Sequence, residues 1–361
     1  MMRILHVITT LDMGGAEHLM VDLLPLLSEY GDQVDLLLFN GVDTSFKTEL
    51  ESKGIRVYEL SHEEGYLDHR EVYKPLNIIR LRKYLSDYDI IHTHNTACQF
   101  FVPFAKLYTK GHPKLVTTEH NATNRRRGKW WFRPLDQWMY KRYSSIICIS
   151  DQTYKNLRDY IGLKNSMKTI YNGVNITRFL KPIKSIEDQN QFVLTMVAAF
   201  REQKDHETLL KAVALLSDNY SLRLVGRGDT ESRVKEYCSK LGVGDKVSFM
   251  GLRTDVSDIL ESSDVIVLSS HWEGLSLSSI EGMASGRPFV ASDVDGLREI
   301  VSGAGVLFPH GDEKALANAV RELCENPAYY KQVALSCQER AKNYDITKMA
   351  QAYHELYESL L

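Results

Sequence analysis

Along this chain, short runs of apolar and β-branched residues alternate with stretches in which apolar residues recur every three or four positions. In the first half the runs predict strands at Ile4–Ile8, Val34–Phe39, Ile55–Leu60, Ile90–His94, Leu115–Glu119 and Ile146–Ser150. In the second half they predict strands at Phe192–Ala198, Ser221–Val225, Lys246–Met250, Val265–Ser269, Pro288–Ser292 and Val306–Phe308. Between them, sets such as Ala16, Met20, Leu23, Leu24, Leu27 and Leu209, Leu210, Val213, Leu216 have the spacing of one buried helix face. Strand–helix alternation sustained in this way predicts an α/β protein, with parallel sheets covered by helices on both sides.

The rhythm breaks once, between Asn172 and Gln191, where Asn-Gly, a proline and mixed charges interrupt the periodicity. Four regions are therefore expected: a first doubly wound domain over 1–172, a hinge over 173–190, a second domain over 191–344, and a helix over 345–361 left over once the second sheet is complete. Doubly wound sheets bind ligands outside the carboxyl ends of their strands, so two such domains facing one another predict a site in the cleft between them.

Composition narrows the class. The 361 residues are 43% hydrophobic and 25% charged, ordinary for a globular chain and long enough for about two domains. Five scattered cysteines without CxxC spacing predict a reducing compartment, the cytoplasm, and argue against a disulfide framework or zinc cluster. No apolar run approaches the roughly 18 residues of a membrane span, and a strand at the very start predicts no signal peptide. Residues 1–180 carry 24 Lys and Arg against 20 Asp and Glu, while the remainder carries 20 against 27. Neither half has the strongly basic balance of a nucleic-acid binder.

Three places offer chemistry. The first strand runs into Gly14-Gly15-Ala16-Glu17 at a helix start, where glycines let backbone N–H groups approach an anion. A plain tight turn explains the same residues. Gly226-Arg227-Gly228 repeats the arrangement after a second-half strand, and is equally readable as a packing turn. The third, His271-Trp272-Glu273-Gly274-Leu275-Ser276-Leu277-Ser278-Ser279-Ile280-Glu281, follows an apolar strand and spaces two glutamates eight positions apart. Ser278 and Glu281 also read as a capping box, which would make Glu281 structural. Glu273 falls in a loop at the strand's carboxyl end, so the two carboxylates would meet different parts of an extended ligand.

With Gly286-Arg287-Pro288 and Gly296-Leu297-Arg298-Glu299 following, this last pattern resembles the retaining GT-B glycosyltransferases of family 4. The resemblance extends to the Gly14-Gly15 turn, Thr118-Glu119-His120, Asn172-Gly173-Val174, Gln203-Lys204 and Gly226-x-Gly228, and so covers nearly the whole chain. It implies a GT-B fold of two Rossmann-like domains, a nucleotide-diphosphate sugar held by the second, and a glycan or polyprenyl-linked saccharide acceptor held by the first. The C-terminal helix is expected to return to the first domain. By the resemblance Glu281 binds the donor ribose and Glu273 the transferred sugar. The backbone of Gly274, Leu275, Ser276 and Leu277 approaches sugar and diphosphate, beside Gly15, Gly226 and Gly228. Lys204 matches a phosphate-binding lysine and His120 a histidine beside the donor sugar. Arg253 is a weaker candidate for the base pocket, and Gly14, Glu17 and His94 lie on the acceptor side. No cofactor or metal is implied, because a donor phosphate oxygen takes the acceptor's proton. An epimerase or hydrolase on the same fold and an inactive sugar-nucleotide binder remain as alternatives.

One position departs from the family pattern. Where relatives carry an arginine five residues before the lysine, this chain has Ala199. Arg201 is expected to replace it, sharing its facing if the strand continues that far. His92-Thr93-His94 puts two imidazoles on one strand face, but only two of the three or four ligands a metal needs are visible, which favours a structural or acceptor-side role. Asp87-Tyr88-Asp89 and Asp293-Val294-Asp295 read as coincidental DxD matches. Residues 125–143 hold seven basic residues against Asp136, and three of the four tryptophans. They fit either a membrane interface, placing the protein at the inner face of the cell membrane, or a packed helix with a solvated basic face.

Overall fold

A computed structural model describes residues 1–11, 14–63, 70–120, 127–162 and 166–361. The chain divides into two compact units, Met1–Gly173 with Ile346–Leu361, and Val174–Asp345. The first contains a parallel sheet of β1 (Arg3–Ile8), β2 (Gln33–Leu38), β3 (Arg56–Glu59), β4 (Ile90–His94), β5 (Lys114–Glu119), β6 (Ser145–Cys148) and β7 (Met167–Thr169), in the order β3-β2-β1-β4-β5-β6-β7. The second contains β8 (Phe192–Val197), β9 (Tyr220–Val225), β10 (Val247–Gly251), β11 (Val265–Leu268), β12 (Phe289–Ser292) and β13 (Val306–Phe308), in the order β10-β9-β8-β11-β12-β13. Both are doubly wound Rossmann-like sheets whose order reverses at one point, between β1 and β4 and between β8 and β11. Outside the strand ends at such a switch point, neighbouring loops part and leave room for a ligand.

The first sheet is apolar on both faces, as a parallel sheet covered by helices must be. Leu5, Val7, Leu37 and Ile91 pack to one side with Leu81, Phe101, Met139 and Leu157. Ile4, Ile8, Leu36, Leu38 and Ile90 pack to the other, against helix Gly15–Ser28 and against Ile346, Met349, Tyr353, Leu356 and Tyr357 of the C-terminal helix Ile346–Glu358. The C-terminal helix thus returns to the first unit, as the resemblance implies. Residues 174–190 belong with the second unit, where Lys184 pairs with buried Asp264 at 2.6 Å.

All five cysteines are buried and free. Burial pushes the Cys148, Cys324 and Cys337 thiols up to about 12, so none is a reactive thiolate at neutral pH. The two DxD matches are absorbed by local ion pairs. Asp89 takes Arg3 at 3.2 Å and Asp293 takes Arg298 at 2.5 Å.

Candidate active site

In the second unit the chain after β8 and the chain after β11 are stitched together at the switch point. Past β8, a short turn leads to the 3-10 segment Glu202–Lys204, and Asp205 then caps helix His206–Ala214 by accepting from Thr208 N at 3.2 Å. Past β11, Ser269 Oγ donates to the Asp205 carbonyl at 2.8 Å, and His271 N donates to the Gln203 carbonyl at 2.7 Å. These bonds hold the two loops in register and bring together Lys204 and Glu273, which lie far apart in sequence. Lys204 Nζ meets Glu273 Oε1 at 2.6 Å, Ser270 Oγ donates to the same oxygen at 2.6 Å, and Gln203 Nε2 reaches Oε2 at 3.3 Å. Glu273 is only 6% exposed, so its charge is held by these donors rather than by water.

Glu273 sits in the loop between β11 and helix Leu277–Ala284, and Glu281 sits within that helix, half-buried. The capping box does not form. Ser276 holds the N-cap position without a side-chain capping bond, so Ser278 already lies in the first turn, with its Oγ 3.1 Å from Ser276 Oγ. Gly274, Leu275 and Ser276 make the approach to this helix start, where free backbone N–H groups suit an anion. The loop's path explains a glycine further on. A Cβ on Gly296 would stand 2.2 Å from the Gly274 carbonyl oxygen and 2.6 Å from that of Glu273, and Gly296 has φ +84°. Gly226 answers to packing in the same way, since a Cβ there would stand 2.1 Å from the Ala198 carbonyl oxygen.

The strand facing expected for Arg201 is not found. β8 ends at Val197, so strand alternation no longer relates residues 199 and 201. Instead Arg201 N bonds back to the Ala199 carbonyl at 2.8 Å in a tight turn. The exposed side chain lines a neighbouring cavity of about 360 Å³ with Glu202, Lys211, Arg233 and His271. Arg253 spends its guanidinium on Asp255, at 2.8 and 2.6 Å. Asp205, His271 and His310 also approach one another closely enough to share an ion. However, the Asp205 carboxylate already caps its helix through Thr208, and His310 already meets His271 at 2.6 Å.

In the first unit the switch point opens into a cavity of about 320 Å³, lined among others by Thr9, Tyr73, Asn95, Gln99, Glu119 and His120. Asn95 ends β4 with φ 68°, a conformation rare outside glycine, and donates to Thr9 Oγ1 at 3.1 Å, tying the β4 and β1 ends together. Buried Glu119 accepts from Tyr140 Oη and pairs with Arg127 at 3.1 Å. Gly14 and Gly15 form the start of helix Gly15–Ser28, with the Glu17 carboxylate folded over Gly14. His120 lines the cavity, and its Nε2 lies 3.0 Å from Nδ1 of His94, which is fully buried behind it. Desolvation lowers His120 to about 4, so it is neutral at physiological pH.

Sequence reasoning missed Asn95, Ser270 and Arg127, which carry no motif. Their common signal is position at or just past a strand's carboxyl end, or in the basic stretch that follows one. Of residues 125–143, Arg125 and Arg126 lie outside the described residues. Trp130 and Trp131 are 82% and 56% exposed on a short 3-10 turn, whereas Trp138 packs on Phe104 at 4.6 Å. No helix among the described residues is long and apolar enough to cross a membrane.

Comparison with known proteins identifies the family and the fold. Residues 178–344 match the family model described as Glycosyl transferases group 1, and residues 13–178 match Glycosyltransferase Family 4. The Bacillus subtilis protein EpsD is 27% identical over 81% of this chain and 83% of its own length. The Escherichia coli UDP-Gal:alpha-D-GlcNAc-diphosphoundecaprenol alpha-1,3-galactosyltransferase is 25% identical over 78% of each. Among solved structures, Anabaena Alr3699/HepE in complex with UDP and glucose superimposes with TM-score 0.86 at 22% identity, covering 99% of this chain and 100% of that one.

Proposed function

The chain belongs to the group 1 and family 4 glycosyltransferases, and from that premise we propose that it transfers a sugar, with retention, from a nucleotide-diphosphate donor to a glycan or polyprenyl-linked saccharide. The observation that carries the reading is the Lys204–Glu273 pair at the mouth of the second unit's switch point. A cation and a carboxylate locked together there match the two ends of a sugar diphosphate: ammonium toward phosphate, carboxylate toward sugar hydroxyls. In the proposed reaction the bond from the anomeric carbon to the diphosphate oxygen breaks as the bond to the acceptor oxygen forms on the same face. The acceptor's proton passes to a departing phosphate oxygen. Lys204 offsets the charge building on the diphosphate, and the helix start at Ser276 adds fixed N–H dipoles. The first unit's cavity takes the acceptor, and His120 meets a sugar hydroxyl.

The relatives' names support the acceptor class, since the Escherichia coli enzyme is named for a diphosphoundecaprenol-linked sugar. Exposed Trp130 and Trp131 beside Lys129 and Arg133 support contact with an anionic membrane, where such an acceptor resides. The deciding experiment screens UDP-, GDP- and ADP-sugars by thermal shift, then assays release of nucleotide diphosphate with and without lipid-linked saccharide. Release that depends on acceptor and survives EDTA is the expected result. Donor turnover without acceptor would mean an epimerase or hydrolase, and binding without turnover an inactive protein.

A further inference from the structure

The first sheet carries a polar file inside an otherwise apolar face. His6 on β1 pairs in register with His92 on β4, and His94 lies opposite Thr118 on β5. All four side chains are fully buried and point to the side covered by the C-terminal helix, whose Tyr353 and Tyr357 are themselves fully buried. The polar atoms form one unbranched series. Tyr353 Oη lies 2.9 Å from Thr118 Oγ1, which lies 2.8 Å from His92 Nε2; His92 Nδ1 lies 2.5 Å from Tyr357 Oη. Tyr357 Oη continues to His6 Nε2 at 3.4 Å, His6 Nδ1 to His94 Nε2 at 3.0 Å, and His94 Nδ1 to His120 Nε2 at 3.0 Å.

His6, His92 and His94 are near enough to suggest a metal site, but their hydrogen bonds oppose it. Every nitrogen of the three already has a hydrogen-bond partner.

A neutral imidazole has one N–H and one bare nitrogen, so each link in the series must have one donor and one acceptor. His6, His94 and His120 must share one tautomer, and three arrangements satisfy every imidazole link: all four histidines protonated at Nε2, all four at Nδ1, or His92 at Nδ1 with the other three at Nε2, in which Tyr357 accepts from both neighbours and its own hydroxyl hydrogen has no acceptor among the described residues. Burial lowers His6 to about 3 and His120 to about 4, and holds His92 and His94 well below their usual value, so the neutral forms are the relevant ones. The two uniform arrangements differ at the far end. With Nε2–H throughout, His92 donates to Thr118. The hydroxyl hydrogen of either Thr118 or Tyr353 then has no acceptor among the described residues, inside a fully buried site. With Nδ1–H throughout, Tyr353 donates to Thr118, Thr118 to His92, and the direction holds down to His120, which lines the cavity and keeps its Nδ1–H as the free end of the series among the described residues. A buried hydroxyl without a partner is unfavourable enough to bias the two states on the order of tenfold or more.

We propose that this series is a directional relay that sets His120 as a neutral Nδ1–H donor toward the first unit's cavity, recognising an oxygen lone pair of the sugar rather than accepting its proton. The inference rests on the proposed glycosyl transfer only for what His120 meets. It makes Tyr357, His6 and His94 positioning residues, and it excludes His120 as general base.

Long-range proton–nitrogen spectra of the full-length, ¹⁵N-histidine-labelled protein at pH 7.5 read the tautomers directly. Nδ1–H signatures for His6, His92, His94 and His120 are expected; Nε2–H at His120, or mixed tautomers along the four, overturns the relay. Tyr353→Phe should lower stability yet leave the tautomers unchanged, because Thr118 still donates to His92. Tyr357→Phe cuts the series and should return His120 to a mixture of tautomers, with turnover reduced several-fold. Unchanged tautomers in Tyr357→Phe would also reject the proposal. The spectra need no substrate, so Nδ1–H tautomers in a protein that transfers no sugar would reject the proposed function and spare the relay. Nε2–H in an active enzyme would do the reverse.

Discussion

Lys204 and Glu273 each solve the other's desolvation. Removing one leaves a nearly buried opposite charge, which costs on the order of 3–5 kcal/mol. Lys204→Ala is therefore expected to lower both thermal stability and turnover, the latter about 10²-fold, as loss of a transition-state donor does. Arg201→Ala, at an exposed side chain lining the neighbouring cavity, should lose less than about threefold, within the range of surface changes. Steady-state kinetics on both variants decides this, and equal losses would restore Arg201 as the substitute for Ala199. The buried histidines give a second expectation, for pH. Their folded values, about 3 for His6 and about 4 for His120, lie below the ordinary 6.5. Between those limits the unfolded chain binds more protons than the folded one, so stability is full above about 6.5 and falls as pH drops toward 3. The slope is about 1.4 kcal/mol per pH unit for each such histidine. Urea titrations at pH 7.5, 6 and 5 measure it; a flat profile would contradict the burial. At this scale the sequence revealed Lys204, Glu273 and His120 singly, through motif, while their partners stayed hidden. Glu273's partners Lys204 and Gln203 come from another loop, and His6, one polar residue in the apolar run Ile4–Ile8, gains meaning only when register sets it beside His92.

The strands were far more legible than the contacts between them, because a run such as Val265–Leu268 declares itself locally. β7 escaped for the same reason, being three residues long with only Met167 buried. The β8 end was overestimated at Ala198, and the shared facing expected of residues 199 and 201 is lost with it. Helix starts depend on main-chain geometry that composition only hints at, hence the false capping box at Ser278. Gly296 shows what a loop asks of a distant residue. Gly296→Ala must move the Glu273–Gly274 backbone, and it is expected to cut turnover at least tenfold while circular dichroism stays native. Native activity would mean that the loop yields without consequence. The C-terminal helix is equally specific. Leu356→Ala on its buried face should cost about 2–5 kcal/mol, read as a fall in the denaturation midpoint.

For the molecule as a whole, alternation of strand and helix disclosed two parallel sheets, and the late helix Ile346–Glu358 could be placed on the first only through the family resemblance. Nothing local in its sequence says which sheet it covers; that is decided by the apolar face left open beside helix Gly15–Ser28. The buried cysteines have a use that follows from this division. Cys98 and Cys148 belong to the first unit, and Cys238, Cys324 and Cys337 to the second. A thiol reagent reaches each only when its surroundings open, so labelling rates under native conditions report the opening free energy of each unit separately. A nucleotide that binds one unit lowers that unit's open population in proportion to its occupancy. Mass spectrometry of the labelled peptides, with and without UDP, should show slowing at Cys238, Cys324 and Cys337 and none at Cys98 or Cys148. Five inert side chains would then show which half of the molecule holds the nucleotide.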